Sequence, residues 1–330
     1  MVQRMFFLTM LTCISMTSYG FVAKKDTLLM GSAFNFSAVH DNEETASEAV
    51  DAAVKEVARI EAKISSWNVN SETARINKYA GIKPVEVSEE LFFLIKRANK
   101  ILKLSGGFFD VSFESIKKVW DLRGEEVKIP TEQMLKESVR LINYENIILD
   151  DAKKTVFLKD KGMKIGFGAI GKGYAANQAK KVMVKMGVNS GVVNAGGDLT
   201  AWGKRDDGED WKVGIADPNN KRNVLSWLTA KDVSIVTSGS YEKYVIIDGK
   251  RYCHIINPKT GWPVSGLKSV TVITKDAEIA DGLATTIFVL GNQKGLALVN
   301  RIPGVECMLI LDNDEVLFSE NAAMNTVKSK

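Results

Sequence analysis

The chain has 330 residues, 45% hydrophobic and 25% charged, which excludes disordered, collagen-like and disulfide-framework classes. Its 44 basic and 40 acidic residues leave a formal charge of +4. That balance offers no electrostatic footprint for nucleic acid. No internal apolar run reaches the roughly 18 residues that a membrane span needs.

Residues 1–20 read as a secretory leader. Arg4 gives a positive start, Phe6 to Met16 is largely apolar, and Ser18-Tyr19-Gly20 puts small residues at −3 and −1. Cleavage after Gly20 is favoured over lipid attachment at Cys13, because Met10-Leu11-Thr12 is a poor lipobox. The expectation is a single domain over 21–330, exported to the periplasm or cell envelope, with inner-membrane association left open. Cys253 and Cys307 remain after the leader is removed. One disulfide or two buried thiols are both compatible with that pair. Neither cysteine lies in a C-x-x-C or Cys/His cluster, so zinc and thiol redox chemistry find no support.

Asp41 to Ser65 reads as a helix with Val50, Val54, Val57, Ile60 and Ile64 on one stripe. Its acidic opening suits the helix dipole. Ser88 and Glu90 open a second helix carrying Leu91, Leu94, Ile95, Ala98, Ile101 and Leu102, which Gly106-Gly107 ends. The stretch Lys117–Pro130 is the most polar and the natural place for a boundary between two lobes. Strands are expected at Asn146–Leu149, Thr155–Leu158, Gly191–Val193, Trp211–Ala216 and Ser234–Val236. Tyr244–Ile247 and Arg251–Ile255 flank the hairpin turn Asp248-Gly249. A strand at Ser269–Thr274, a helix from about Ala277 to Leu290 and a pair at Glu306–Leu311 and Glu315–Phe318 complete the chain. This interleaving predicts an α+β class with mixed, largely antiparallel sheets and packed helices.

The densest chemical signal runs from Lys164 to Tyr174, with glycines at 166, 168, 171 and 173 and a lysine at 172. It reads as strand, glycine turn and helix, with Ala175, Ala179, Val182 and Met186 on one helix face. Glycines there admit backbone N–H groups close to an anion, and Lys172 adds a full charge, so a phosphate-bearing ligand is the natural expectation. Gly173 stands where a P-loop needs Ser or Thr, and the acid of a dinucleotide fingerprint is missing near Gly191. Asn194-Ala195-Gly196-Gly197-Asp198 and Ser238-Gly239-Ser240 each end a strand and read as turns or ligand-approach sites. His254, one of 2 histidines, sits at a strand end and could move a proton near neutral pH. Asp281 and Thr285 lie one helical turn apart and could offer hard oxygen ligands to Mg²⁺. Glu278, three residues before Asp281, is read as an exposed helix-start acid.

In this order the segments resemble the ApbE family of FAD:protein FMN transferases, from about Met30 to Phe318. The resemblance rests on Met30-Gly31-Ser32, Ser66-Trp67, Ser71 to Asn77, Phe109-Asp110-Val111-Ser112 and Gly168 to Tyr174. Asn194 to Asp198, Thr237-Ser238-Gly239, His254 to Pro258 and Ala280 to Thr285 complete it. It implies an ApbE-like fold and Mg²⁺-dependent transfer of FMN from FAD to a Ser or Thr hydroxyl of an exported or membrane-bound acceptor, with release of AMP. By resemblance, FAD contacts fall on Met30, Trp67, Phe108, Phe109, Asp110, Gly166, Lys172 and Ile255. The metal site falls on Ala169 (through its carbonyl), Asp281 and Thr285. His254 is the expected base. The implied acceptors are flavin-bearing subunits of redox-driven sodium pumps and related electron-transfer proteins.

Two positions depart from the family pattern. Many relatives carry Asp where this chain has Gly166, so a contact to FAD there is lost or made by backbone. Asn257 replaces a common Asp after His254, keeping hydrogen bonds but not charge. Hydrolysis of FAD to FMN and AMP would use the same residues. A non-catalytic exported flavin-binding protein would need Trp67 and the glycine loop but not Asp281, Thr285 or His254, whose joint presence favours an enzyme.

Overall fold

A computed structural model describes residues 20–121, 128–220, 223–240, 244–320 and 322. The expected leader therefore lies almost wholly outside the described residues, as does the middle of the 117–130 stretch. The chain begins with strands β1 (Phe21–Leu29) and β2 (Ser32–His40), then helices α1 (Glu43–Ile64) and α2 (Glu72–Lys78). Strand β3 (Val85–Glu86), α3 (Glu89–Leu104), a 3₁₀ turn at Val111–Ser115 and α4 (Glu132–Val139) lead to β4 (Ile147–Asp150) and β5 (Thr155–Leu158). Helix α5 (Gly171–Lys185) precedes β6 (Ser190–Ala195), β7 (Asp198–Trp202), β8 (Trp211–Ala216), β9 (Val224–Ala230) and β10 (Val233–Gly239). The rest is β11 (Tyr244–Ile247), β12 (Lys250–Cys253), β13 (Leu267–Thr274), α6 (Ala277–Leu290), α7 (Asn292–Val299), β14 (Glu306–Leu311) and β15 (Val316–Phe318).

The main sheet has 8 strands in the order β1-β2-β6-β7-β10-β13-β14-β15. Every strand pair among the described residues is antiparallel, as the α+β reading expects. Helices α1, α5 and α6 cover one face, resting on β1–β2, β6–β7 and β10–β13 respectively. The β8–β9 hairpin covers the other face, where Ile215 and Leu228 pack with Ala201, Ile235, Met308 and Ile310. A sheet with helices on one face and a hairpin on the other buries both apolar surfaces.

Local chemistry explains the element ends. Asn42, Ser71, Ser88 and Thr131 each accept an N–H two or three residues into the following helix, filling orphan donors of its first turn. The Asp248-Gly249 turn has φ of 50° and 74°, the left-handed geometry of a two-residue hairpin. Gly196 and Gly197, with φ of 63° and 104°, make the corresponding turn between β6 and β7.

Three expectations need correction. No strand precedes the glycine loop. Residues 163–167 run without a ladder, and side chains stand in for it. Asn77 accepts the Ile165 N–H at 2.8 Å and donates to the Ile165 carbonyl at 2.9 Å, while the Ser115 hydroxyl serves Lys164 in the same double role. The buried face of α5 carries Ala175, Ala176, Ala179 and Met183, with Met186 packed partly buried against the same core at the helix end and Val182 off that face, because the helix begins at Gly171 against both α1 and α6. Glu278 is buried, not exposed, and its carboxylate takes the Arg97 Nε at 2.7 Å.

Candidate active site

Antiparallel pairing brings the start of β2, the β6–β7 turn and the end of β10 to one end of the sheet. There they meet the 3₁₀ segment after α3, the glycine loop before α5, the segment after β12 and the middle of α6 around a cleft of about 590 Å³. That volume falls within the roughly 300–1,000 Å³ of small-molecule sites. Phe108, Phe109, Asp110, Gly166, Ala169, Lys172, His254, Ile255, Asp281 and Thr285 all line it. Residues from sequence positions more than 170 apart thus share one site.

Two expected contacts lie elsewhere. Met30 occupies the β1–β2 turn with φ of 52°, and its methyl group packs against the start of α5 beside Gly171. Trp67 is 79% exposed outside the lining, with Lys118 Nζ 5.6 Å from its ring. Its neighbour Ser66 reaches the lining through Glu114, to which its hydroxyl donates at 2.9 Å.

The four glycines of the loop have different tasks. A Cβ on Gly168 would meet nothing within 4 Å, so this residue is the open backbone facing the cleft. Gly171 is closed in by Ile64, with 3.0 Å left for a Cβ. Gly173 is tighter still, because a Cβ would fall 2.1 Å from the Ala277 carbonyl oxygen of α6. Gly166 leaves room for the Glu114 carboxylate, whose Oε2 lies 2.7 Å from the position of an added Cβ. Close helix packing, as well as ligand approach, therefore fixes this sequence.

Helix α5 has no side-chain cap from its own sequence. Asp281 of α6 takes that role across the helix pair, accepting the Gly173 N–H at 3.1 Å. Lys172 donates to Asp198 Oδ2 at 2.5 Å. Asp198 and Asp281 are almost completely buried. Burial pushes the Asp198 carboxyl well above the usual carboxylate range; the Asp281 charge adds to this and Lys172 opposes it. Burial also raises Asp281, against Lys172 and the Gly173 N–H. Two buried carboxylates face one ammonium, a surplus of negative charge that a bound cation would neutralise. Thr285 and Ala169 line the same cleft, and the oxygens that these residues carry are the donor type a hard divalent cation requires. Asp198 was not singled out from sequence as the partner of Lys172. The acid closing Asn194-Ala195-Gly196-Gly197-Asp198 was its only signal.

The remaining polar groups are positioned by the chain. Asp110 Oδ1 accepts the N–H and hydroxyl of Ser112, and Oδ2 accepts the Tyr144 N–H at 3.1 Å, while burial raises its carboxyl. His254 follows β12 and is exposed in the lining of the cleft. Asn257 Oδ1 accepts the Lys259 N–H at 2.9 Å, so the Asn that departs from the family pattern shapes the turn after His254. Lys259 Nζ stands 4.2 Å from the centre of the Phe108 ring. Behind the loop, Glu90 takes hydrogen bonds from Arg59, Lys63 and Tyr174 of α5, which hold its carboxyl far below the usual range, Arg59 foremost. This network ties α1, α3 and α5 together beneath Lys172.

Fold and site together define an α+β protein whose cleft has a charged end for a phosphate-bearing ligand and aromatic walls for ring systems. The sequence profile of the ApbE family matches residues 30–309, and the chain belongs to that family. A FAD:protein FMN transferase of Treponema pallidum (strain Nichols) is 33% identical over 286 residues, covering 81% of this chain and 79% of that protein. One from Klebsiella pneumoniae (strain 342) is 30% identical over 265 residues, covering 80% and 82%. Among solved structures, the ApbE protein of Thermotoga maritima superposes with a TM-score of 0.79 at 31% identity, covering 91% of this chain and 97% of that one. The apo flavinyl transferase ApbE of Pseudomonas stutzeri gives a TM-score of 0.79 at 25% identity, covering 91% and 94%.

Proposed function

We propose that this chain transfers FMN from FAD to a Ser or Thr hydroxyl of an acceptor protein and releases AMP, with Mg²⁺ held by Asp281, Thr285 and the Ala169 carbonyl. The observation that carries this reading is the group formed by half-buried Lys172 and the buried Asp198 and Asp281 at the start of α5, which opens onto a cleft with aromatic walls. Family membership and the transferases among its relatives support it.

The acceptor oxygen forms a bond to the flavin-side phosphorus, and the bond from that phosphorus to the bridging oxygen breaks. AMP departs with the bridging oxygen and its electron pair. Lys172, which lines the cleft, would offset charge gathering on the leaving phosphate. Bound Mg²⁺ supplies Lewis-acid neutralisation of the phosphate oxygens. Main-chain N–H groups at the start of α5 add partial positive charge. His254, at the exposed side of the cleft, accepts the hydroxyl proton of the incoming acceptor. Phe108 and Phe109 enclose the ring systems and keep water from the phosphorus.

Export fits the same reading. The sheet begins at Phe21, immediately after the expected cleavage site. The acceptors proposed are flavin-bearing subunits of sodium pumps and related electron-transfer proteins outside the cytoplasm. The test incubates the mature protein with FAD, Mg²⁺ and a Thr-bearing acceptor domain, then reads acceptor mass and free AMP. An FMN-sized mass gain matched by AMP supports transfer. AMP with free FMN and unmodified acceptor supports hydrolysis instead.

A further inference from the structure

Glu114, like Asp110, is an acidic side chain of the cleft wall that the transfer chemistry does not use, but Asp110 is taken up by the Ser112 and Tyr144 groups of its own chain. Glu114 sits on the 3₁₀ segment beside Phe113, and both line the cleft. Ser66 holds its Oε1 at 2.9 Å. Its Oε2 enters the space left by Gly166, 2.7 Å from where a side chain there would begin. A Cβ at 166 would force the Glu114 carboxylate to shift from this position. A carboxylate in the lining repels phosphate, so Glu114 is suited to a part of the ligand other than the pyrophosphate. A carboxylate fixed beside an aromatic ring is suited to a flat heterocycle that presents N–H donors at its edge.

We propose that Glu114 is a specificity residue that reads the N–H edge of one ring system of FAD, and that Gly166 exists to admit it. This rests on the transferase reading of the cleft. The two rings that offer such an edge are the adenine, through its 6-amino group, and the isoalloxazine, through its ring N–H.

The experiment measures dissociation constants of FAD, FMN and ADP for the mature protein and for Glu114→Ala, Glu114→Gln, Gly166→Ala and Glu114→Ala/Gly166→Ala. A hydrogen bond to a charged group corresponds to about a tenfold to hundredfold effect. Glu114→Ala is therefore expected to weaken FAD by that factor, with the loss confined to FMN or to ADP, which identifies the ring. Glu114→Gln keeps an acceptor and should recover part of the loss. In turnover the loss should appear in KM for FAD rather than in kcat. Gly166→Ala should weaken FAD in the parent protein and add little once Glu114 is gone, since both changes remove one contact. The proposal is overturned if Glu114→Ala binds all three ligands as the parent does. It is equally overturned if all three weaken alike while the melting temperature falls, which would mark a structural role. If the parent binds FAD but never releases AMP, the transferase reading fails and the binding comparison still decides the role of Glu114.

Discussion

Gly173→Ala should disable the site without removing any charged group. The added Cβ would lie 2.1 Å from the Ala277 carbonyl oxygen and 2.9 Å from Asp281 Cβ. Both neighbours belong to α6, and a backbone carbonyl cannot rotate away as a flexible side chain could. Restoring a contact above 3.0 Å at the carbonyl separates the helices locally by about 1 Å, which lengthens the Gly173 N–H bond to Asp281 from 3.1 Å. Overpacking of this kind costs about 1–3 kcal/mol of stability, and displacing a catalytic constellation by about 1 Å can cost about 100-fold in rate. Urea unfolding of the apo protein and AMP release at saturating FAD and Mg²⁺ measure the two effects separately. The reasoning requires both to change. A Gly173→Ala protein as stable and as active as its parent would show that the α5–α6 contact does not set the position of Asp281.

Replacing Lys172 with Met leaves Asp198 and Asp281 without their shared cation, and AMP release should fall by about 100-fold or more, measured at saturating FAD. Asp281→Asn tests the buried charge through pH. Burial raises the folded-state Asp281 pKa above its unfolded value, so its ionisation costs stability at neutral pH, and that cost fades as pH falls through the raised value. Apo Asp281→Asn should therefore be more stable than the parent near pH 8, the gap should narrow on acidification, and Mg²⁺ should stabilise only the parent; a gap that widens in acid contradicts this. The thiols of Cys253 and Cys307 are free and buried, and burial pushes each up to about 11. Native protein at pH 8 should thus resist a thiol reagent that labels both sites in denaturant, whereas rapid native labelling would refute the burial.

Much of the fold was legible because periodicity and composition agree with packing. Thr155–Leu158, Trp211–Ala216, Tyr244–Ile247, Ala277–Leu290 and Glu306–Leu311 fall at their expected limits, each a short apolar or alternating run closed by turn residues or a cap. The β1–β2 hairpin was not read. Lys24, Lys25 and Asp26 break the pattern of β1, an edge strand with little burial, and its turn uses Met30 in a left-handed conformation that sequence favours only weakly. The segment before the glycine loop buries Met163, Ile165 and Phe167 alternately, as a strand would, yet Asn77 and Ser115 from distant segments supply its backbone partners in place of a ladder, which no local pattern reveals.

The site shows the same division. Lys172, Asp281 and Thr285 could be placed from local spacing and family resemblance, and the structure brings them into one cleft. Asp198 could not be paired with Lys172, since a contact across 26 positions depends on the order of strands rather than on spacing. Glu114 left no trace at all. Its relation to Gly166 appears only once the 3₁₀ turn lies against the loop, with the Gly166 N–H donating to the Val111 carbonyl at 2.9 Å. Sequence therefore exposes chemistry carried by neighbours on one element, and hides chemistry made by two elements meeting.

The proposed transfer requires the Lys172–Asp198–Asp281 end of the cleft to hold a divalent cation and the pyrophosphate of FAD together. Single-turnover AMP release from FAD, in the presence of acceptor, by the mature protein and by Asp281→Ala, each in Mg²⁺ and in EDTA, tests it most directly. The account predicts rapid release by the parent in Mg²⁺, at least about 100-fold slower release in EDTA, and no response to Mg²⁺ in Asp281→Ala. AMP release that ignores EDTA, or an Asp281→Ala protein with undiminished Mg²⁺ dependence, would contradict it.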